Sequence, residues 1–107
     1  MAKDDILELL SGVIEALTAS VASGHSFDHA VYELHKSADH ALSRAFAVYL
    51  EEVKAGSTRR EALLRLAGRF DVPALNEFVD ALIEADEKGI SLLETLKRSS
   101  ARLRGRP

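Results

Sequence analysis

The sequence predicts an all-α fold, an antiparallel six-helix bundle built from helical hairpins with Gly-x-Ser/Thr junctions. Three observations predict it. Apolar residues recur at helical spacing along nearly the whole 107-residue chain, and no segment sustains strand alternation. Only two prolines are present, Pro73 and Pro107, so few helices are interrupted. One motif occurs three times, beginning at Gly24-His25-Ser26, Gly56-Ser57-Thr58 and Gly89-Ile90-Ser91, with the glycines 32 and 33 residues apart. Each copy continues to Ala or Thr and then Val or Leu: Ala30-Val31, Ala62-Leu63 and Thr95-Leu96.

The motif reads as a junction between two helices. A glycine just past a helix end takes the left-handed conformation without a side-chain clash. The Ser or Thr two residues on is an N-cap, because its oxygen accepts from an orphan backbone N–H. Thr58-x-x-Glu61 and Ser91-x-x-Glu94 also have capping-box spacing, whereas Ser26 has His29 in that place.

Six helices follow. The first covers about residues 4–23 and turns Ile6, Leu10, Val13, Leu17 and Val21 inward, with Leu9 and Ile14 widening the stripe. The second runs from Ser26 to about Ser37 and buries Ala30, Val31 and Leu34. Asp39 is the expected cap of the third, which runs to Ala55 on Leu42, Phe46, Leu50 and Val53. The fourth follows Thr58 and uses Ala62, Leu63, Leu66 and Phe70; it ends at Asp71 or Val72. Pro73 suits the first turn of the fifth, which buries Leu75, Phe78, Val79, Leu82 and Ile83 and stops before Gly89. The sixth starts at Ser91 and carries Leu92, Leu93, Leu96 and Leu103. Connections of two to four residues make successive helices antiparallel neighbours.

Length fits one domain, residues 1–107. There is no cysteine, so disulfides and thiolate metal sites are excluded. Asp4, Asp5 and Glu8 stand where a signal peptide needs cations, and no apolar run approaches the ~20 residues of a membrane span. The net charge of −3 is laid out in blocks. Residues 1–53 hold three basic and nine acidic side chains, and residues 70–96 one basic and seven acidic. Residues 54–69 hold five basic and one acidic, and 97–107 five basic and none acidic. Such blocks orient a chain toward partners or a membrane, unless they are simply solvated helix faces.

Recognisable site chemistry is missing. None of the four histidines, His25, His29, His35 and His40, has Glu three residues before it, and no His-Glu-x-x-His exists. His25 precedes the expected N-cap, so helical stacking on His29 is not expected. No serine stands in a nucleophile elbow and no glycine loop cradles phosphate. Asp86 and Glu87 read as a solvated helix end rather than an ion site. Arg59, Arg60, Arg65 and Arg69 do not share one face, carry no interleaved aromatics and sit in an acidic chain, which argues against nucleic acid. No catalytic residue, metal or cofactor is expected.

Three stretches carry a family resemblance: Ala22–Val31 with its Gly-His-Ser junction, Ala55–Ala67 with Gly-Ser-Thr-Arg-Arg-Glu-Ala-Leu-Leu, and Pro73–Leu96 with its Gly-Ile-Ser-Leu-Leu. Together they resemble the type II secretion system protein F domain, which also occurs in platform proteins of type IV and tight-adherence pili. The resemblance implies a non-enzymatic six-helix scaffold on the cytoplasmic face of a bacterial or archaeal inner membrane. It implies contacts with the assembly ATPase and with other platform or inner-membrane subunits, and self-association. A single copy is more similar to the tight-adherence proteins. Family members carry transmembrane helices beside this domain, so the chain is expected to be a piece of a longer membrane protein.

Within that frame Arg59, Arg60, Arg65 and Arg69 are candidate partner-docking residues, with charge setting orientation and encounter rate. The basic tail 97–107, with Lys97, Arg98, Arg102, Arg104 and Arg106, is the candidate membrane-proximal segment. Cations at the end of the last helix also complement its dipole. The bundle would transmit force or rotation, since a packed core is stiff. Two rivals stand beside this reading: a helical-repeat interaction module unrelated to secretion, and a metal-dependent bundle enzyme. The repeat module has a period near ~34 residues, although its Trp, Tyr and Pro pattern is missing here.

Overall fold

In a computed structural model, which describes residues 3–105, the described residues form six helices and no strand. They are α1 Lys3–Ala22, α2 Phe27–Ser37, α3 Ala41–Lys54, α4 Arg59–Phe70, α5 Pro73–Lys88 and α6 Leu92–Arg104.

Local chemistry sets most of the boundaries. Gly24, Gly56 and Gly89 have φ of 100°, 114° and 68°, a region costly for any residue with a Cβ. Ser26, Thr58 and Ser91 then accept hydrogen bonds from the backbone N–H groups of His29, Glu61 and Glu94 at 3.1, 3.1 and 3.2 Å. At Thr58 the box closes, because the Glu61 carboxylate accepts from the Thr58 N–H at 2.9 Å. At Ser91 only the first half of the box forms. Between α4 and α5 the turn is different. Asp71 takes φ 50°, Val72 is buried, and Pro73 occupies the first turn of α5.

One boundary departs from expectation. His40, not Asp39, caps α3: its Nδ1 accepts from the Ser43 N–H at 3.0 Å, and Ser43 Oγ accepts from the His40 N–H at 2.9 Å. The fully buried Ser43 is part of this reciprocal cap, and Asp39 instead pairs with Arg44 at 2.6 Å. An imidazole with a free lone pair does the capping job of a carboxylate, so a residue-type rule passes over it.

The core is one continuous cluster drawn from all six helices. On α1 the buried residues are Ile6, Leu10, Val13, Ile14 and Leu17, while Leu9 and Val21 are half-buried against them. Phe46 and Tyr49 of α3 are the bulkiest fully buried side chains. Truncating a ring such as Phe46 to alanine costs ~3–5 kcal/mol in a packed core. In α6 the expected stripe is displaced. Leu92, Leu93 and Leu103 are only half-buried, and Thr95, Leu96 and Ser99 hold the inner positions.

Consecutive helices pack on each other, and α1 also packs on α3, α5 and α6. The contact between the first and last helices closes the bundle. An open solenoid would join only neighbouring units. The Cα radius of gyration is 12.6 Å, against about 13 Å for a compact domain of ~100 residues. Among the described residues no helix is long and apolar enough to cross a membrane.

Candidate docking surfaces

The buried cluster is almost wholly apolar, and the charged side chains lie around it. The four arginines of α4 come first. Arg59 opens the helix, and its Nη2 donates to Asp28 Oδ2 of α2 at 2.9 Å. The other oxygen of Asp28 accepts from the Tyr49 hydroxyl of α3 at 2.8 Å. Asp28 therefore ties three helices together. Its place in the first turn of α2 also suits the dipole of that helix. Burial first, and the Asp28 carboxylate second, push the Tyr49 phenol well above the usual phenol range. The hydrogen bond and charge of Asp28 hold the Arg59 guanidinium more firmly protonated.

The other three are partnered too. Arg60 Nη1 donates to both oxygens of Glu87 on α5, at 2.9 and 3.1 Å. So Glu87, read from sequence as a solvated helix end, is held across to α4. Arg65 Nε and Arg69 Nη2 lie 3.4 and 3.6 Å from the two oxygens of Glu52 on α3. No hydrogen bond of good geometry reaches the buried Glu52 Oε1, so charge attraction alone links it to Arg65. Arg65 also donates to Ser57 Oγ at 2.7 Å. These side chains are partly exposed, and such pairs contribute only ~0–1 kcal/mol each. Among them stands Leu64, 45% exposed on the outer side of α4.

The cations of α6 are placed otherwise. Lys97, Arg98, Arg102 and Arg104 are exposed, and none makes an ion pair among the described residues. Arg104 donates to Ser100 Oγ at 2.7 Å. They form two patches rather than one. Lys97 and Arg104 border a groove toward α1 with Glu15, Thr18 and Ser100. Arg98 and Arg102 border a groove toward α5 with Glu77, Asp80 and Glu84. Arg106 lies outside the described residues.

A further cleft of about 220 Å³ lies beside the N-terminal ends of three helices. Phe27, Arg59 and Leu92, the first residues of α2, α4 and α6, line it together with Leu63, Leu82, Ala85 and Asp86.

The histidines do not converge. His25 lies outside α2, yet its ring stacks on His29 with centroids 4.2 Å apart, contrary to expectation. The extended backbone of Ser26 lets the preceding residue fold back over the first turn. His29 Nε2 lies 3.3 Å from Glu33, and His40 serves as a cap. Among the described residues no group of three His, Asp or Glu side chains is arranged to hold a metal ion. Sequence reasoning passed over Asp28 and Tyr49. The available signal was the spacing from Phe46 to Tyr49, because a buried tyrosine hydroxyl requires a partner.

Fold and surface together define an all-helical domain with an apolar core and charged outer faces. Residues 13–106 match the family described as type II secretion system (T2SS), protein F. The chain belongs to that family, one of platform proteins associated with the inner membrane. No curated protein and no solved structure gives a significant match.

Proposed function

We propose that this chain is a non-enzymatic docking domain of an inner-membrane platform protein in a secretion or pilus assembly machine. On this reading it lies on the cytoplasmic face, binds the assembly ATPase and other platform subunits, and self-associates. The observation that carries the reading is the family match over residues 13–106. We read the helices as three antiparallel hairpins. The left-handed glycines and the Ser or Thr caps that follow them favour this. A closed, densely packed bundle suits transmission of force or rotation, because it resists compression.

The ATPase is assigned to the outer side of α4. There Leu64 supplies an apolar anchor, and Arg60, Arg65 and Arg69 supply a cationic rim, in which the solvent-exposed Arg60–Glu87 pair exchanges partners at small cost. Arg59 is the least available of the four, since Asp28 and Tyr49 hold it. Lys97 and Arg104, and Arg106 beyond the described residues, are assigned to anionic lipid.

Leu64→Asp tests the ATPase assignment without touching an ion pair. It should weaken capture of the purified ATPase at least about tenfold, the scale of a buried anchor. Undiminished capture by both Leu64→Asp and an Arg60→Glu/Arg65→Glu variant would remove α4 from the interface.

A further inference from the structure

The groove between α5 and α6 has walls of opposite charge. Asp80 and Glu84, with Glu77, stand on the α5 wall at spacings of three and four, which keeps them on one helical face. Arg98 and Arg102, one turn apart, stand on the α6 wall. The floor is made of small side chains, Ala81, Thr95 and Ser99. Among the described residues no ion pair joins Asp80 or Glu84 to Arg98 or Arg102 across the groove. Glu84 reaches only Lys88, at 3.9 Å on its own helix, and Asp80, Arg98 and Arg102 have no ion-pair partner among the described residues. Among the described residues, Asp80 on one wall and Arg98 and Arg102 on the other thus stand unpaired side by side, whereas the arginines of α4 are all paired.

We infer that this groove is the contact surface for a second copy of the chain, related by a two-fold axis running along the groove. An object that covers it must present cations to α5 and anions to α6. A second copy carries both rows, already at the right separation. A self-complementary patch of this kind generates a closed two-fold dimer.

Charge selects the axis. With the axis along the groove, α5 of each copy lies over α6 of the other, and acid meets base twice. With the axis across the groove, α5 lies over α5 and acid meets acid. Register agrees as well. Glu77 shares a smaller cleft with Arg102 at one end of the groove, while Glu84 and Thr95 mark the other. Rotation about the long axis preserves height, so Arg98 arrives beside Asp80 and Glu84, with Arg102 one turn further along the same groove. The exposed Ile90 at the rim adds an apolar contact. Such an interface is polar, so it specifies orientation more than it supplies affinity.

This inference rests on the self-association proposed above and names its face and symmetry. Sedimentation equilibrium at low salt tests it with the wild type, Arg98→Glu/Arg102→Glu, Asp80→Lys/Glu84→Lys, and an equimolar mixture of the two variants. All four substituted positions are exposed, and circular dichroism checks that each variant folds. The wild type should dimerise and weaken about tenfold when salt is raised to 0.5 M, through screening. Each variant alone faces like charge with like and should dimerise at least tenfold more weakly. The mixture should regain the dimer, because the acidic walls of one variant meet the basic walls of the other. A wild type that stays monomeric at millimolar concentration overturns both the face and self-association of the isolated domain. A wild-type dimer indifferent to both reversals leaves self-association standing and removes this face. Variants that each weaken the dimer but fail to re-pair when mixed remove the acid-over-base pairing and with it this two-fold axis.

Discussion

The basic stretches of α4 and α6 resemble each other in sequence and differ in how the fold uses them. Each α4 arginine lies within 3.6 Å of a carboxylate on another helix: Asp28, Glu87 or Glu52. The described cations of α6 have no such partner. The α4 charges therefore join helices, and the α6 charges remain available to whatever approaches. A cluster of arginines in a sequence marks a docking surface only after the acids brought beside it by the fold have been counted.

The strongest way to break the comparison is Asp28→Ala. It strands a buried tyrosine hydroxyl and releases Arg59, so unfolding should become easier by ~2 kcal/mol, the usual penalty for an unmet buried polar group. A denaturant titration that leaves the midpoint unmoved would show that the junction joins nothing.

Tyr49→Phe removes the hydroxyl but keeps the ring, and should cost ~1 kcal/mol near neutral pH. It also has a pH signature. The folded phenol is held above its unfolded value, so its contribution is fully present below about pH 10 and declines as pH rises toward the folded value. Wild-type stability should fall over that alkaline range, and the Phe variant should lack this component. Parallel curves for the two proteins would refute the assignment.

The caps sharpen the contrast between the two helices. Thr58→Ala breaks a closed box and should cost ~1 kcal/mol, more than Ser91→Ala, where only one bond is lost. Glu61 is held below the usual carboxylate range, chiefly by the Thr58 N–H. Its contribution is therefore present above about pH 4.5 and is lost as pH falls through the lowered folded value. Acid unfolding of Thr58→Ala should show less of this dependence.

The smallest effect belongs to α6. Arg98→Ala and Arg102→Ala should change stability by less than ~0.5 kcal/mol each, because no internal partner is lost. A larger thermal shift in either would mean that the α6 cations are structural after all.

Much of this was legible in the sequence. All six helices lie where apolar spacing and the repeated glycines put them; the inward residues of α2 are those that the pattern names, and in α5 all the named residues are buried together with Ala74 and Ala85. The His40 cap, the Thr95 and Ser99 positions in the core and the stacking of His25 on His29 were not legible. Each depends on geometry that residue type does not encode. The candidate surfaces were legible only as charge: Arg59 to Arg69 and Lys97 to Arg104 were both visible as cationic runs, and neither showed its partners.

Sequence alone determined where most helices begin and end, the start of α3 excepted, because capping, glycine conformation and the helical period act within a few residues of one another. Tertiary structure decided which charges are neutralised and which remain outside. Asp28 and Arg59 are 31 residues apart, and Arg60 and Glu87 are 27 apart. A Coulomb interaction depends on distance in space, and only the packed bundle sets that distance.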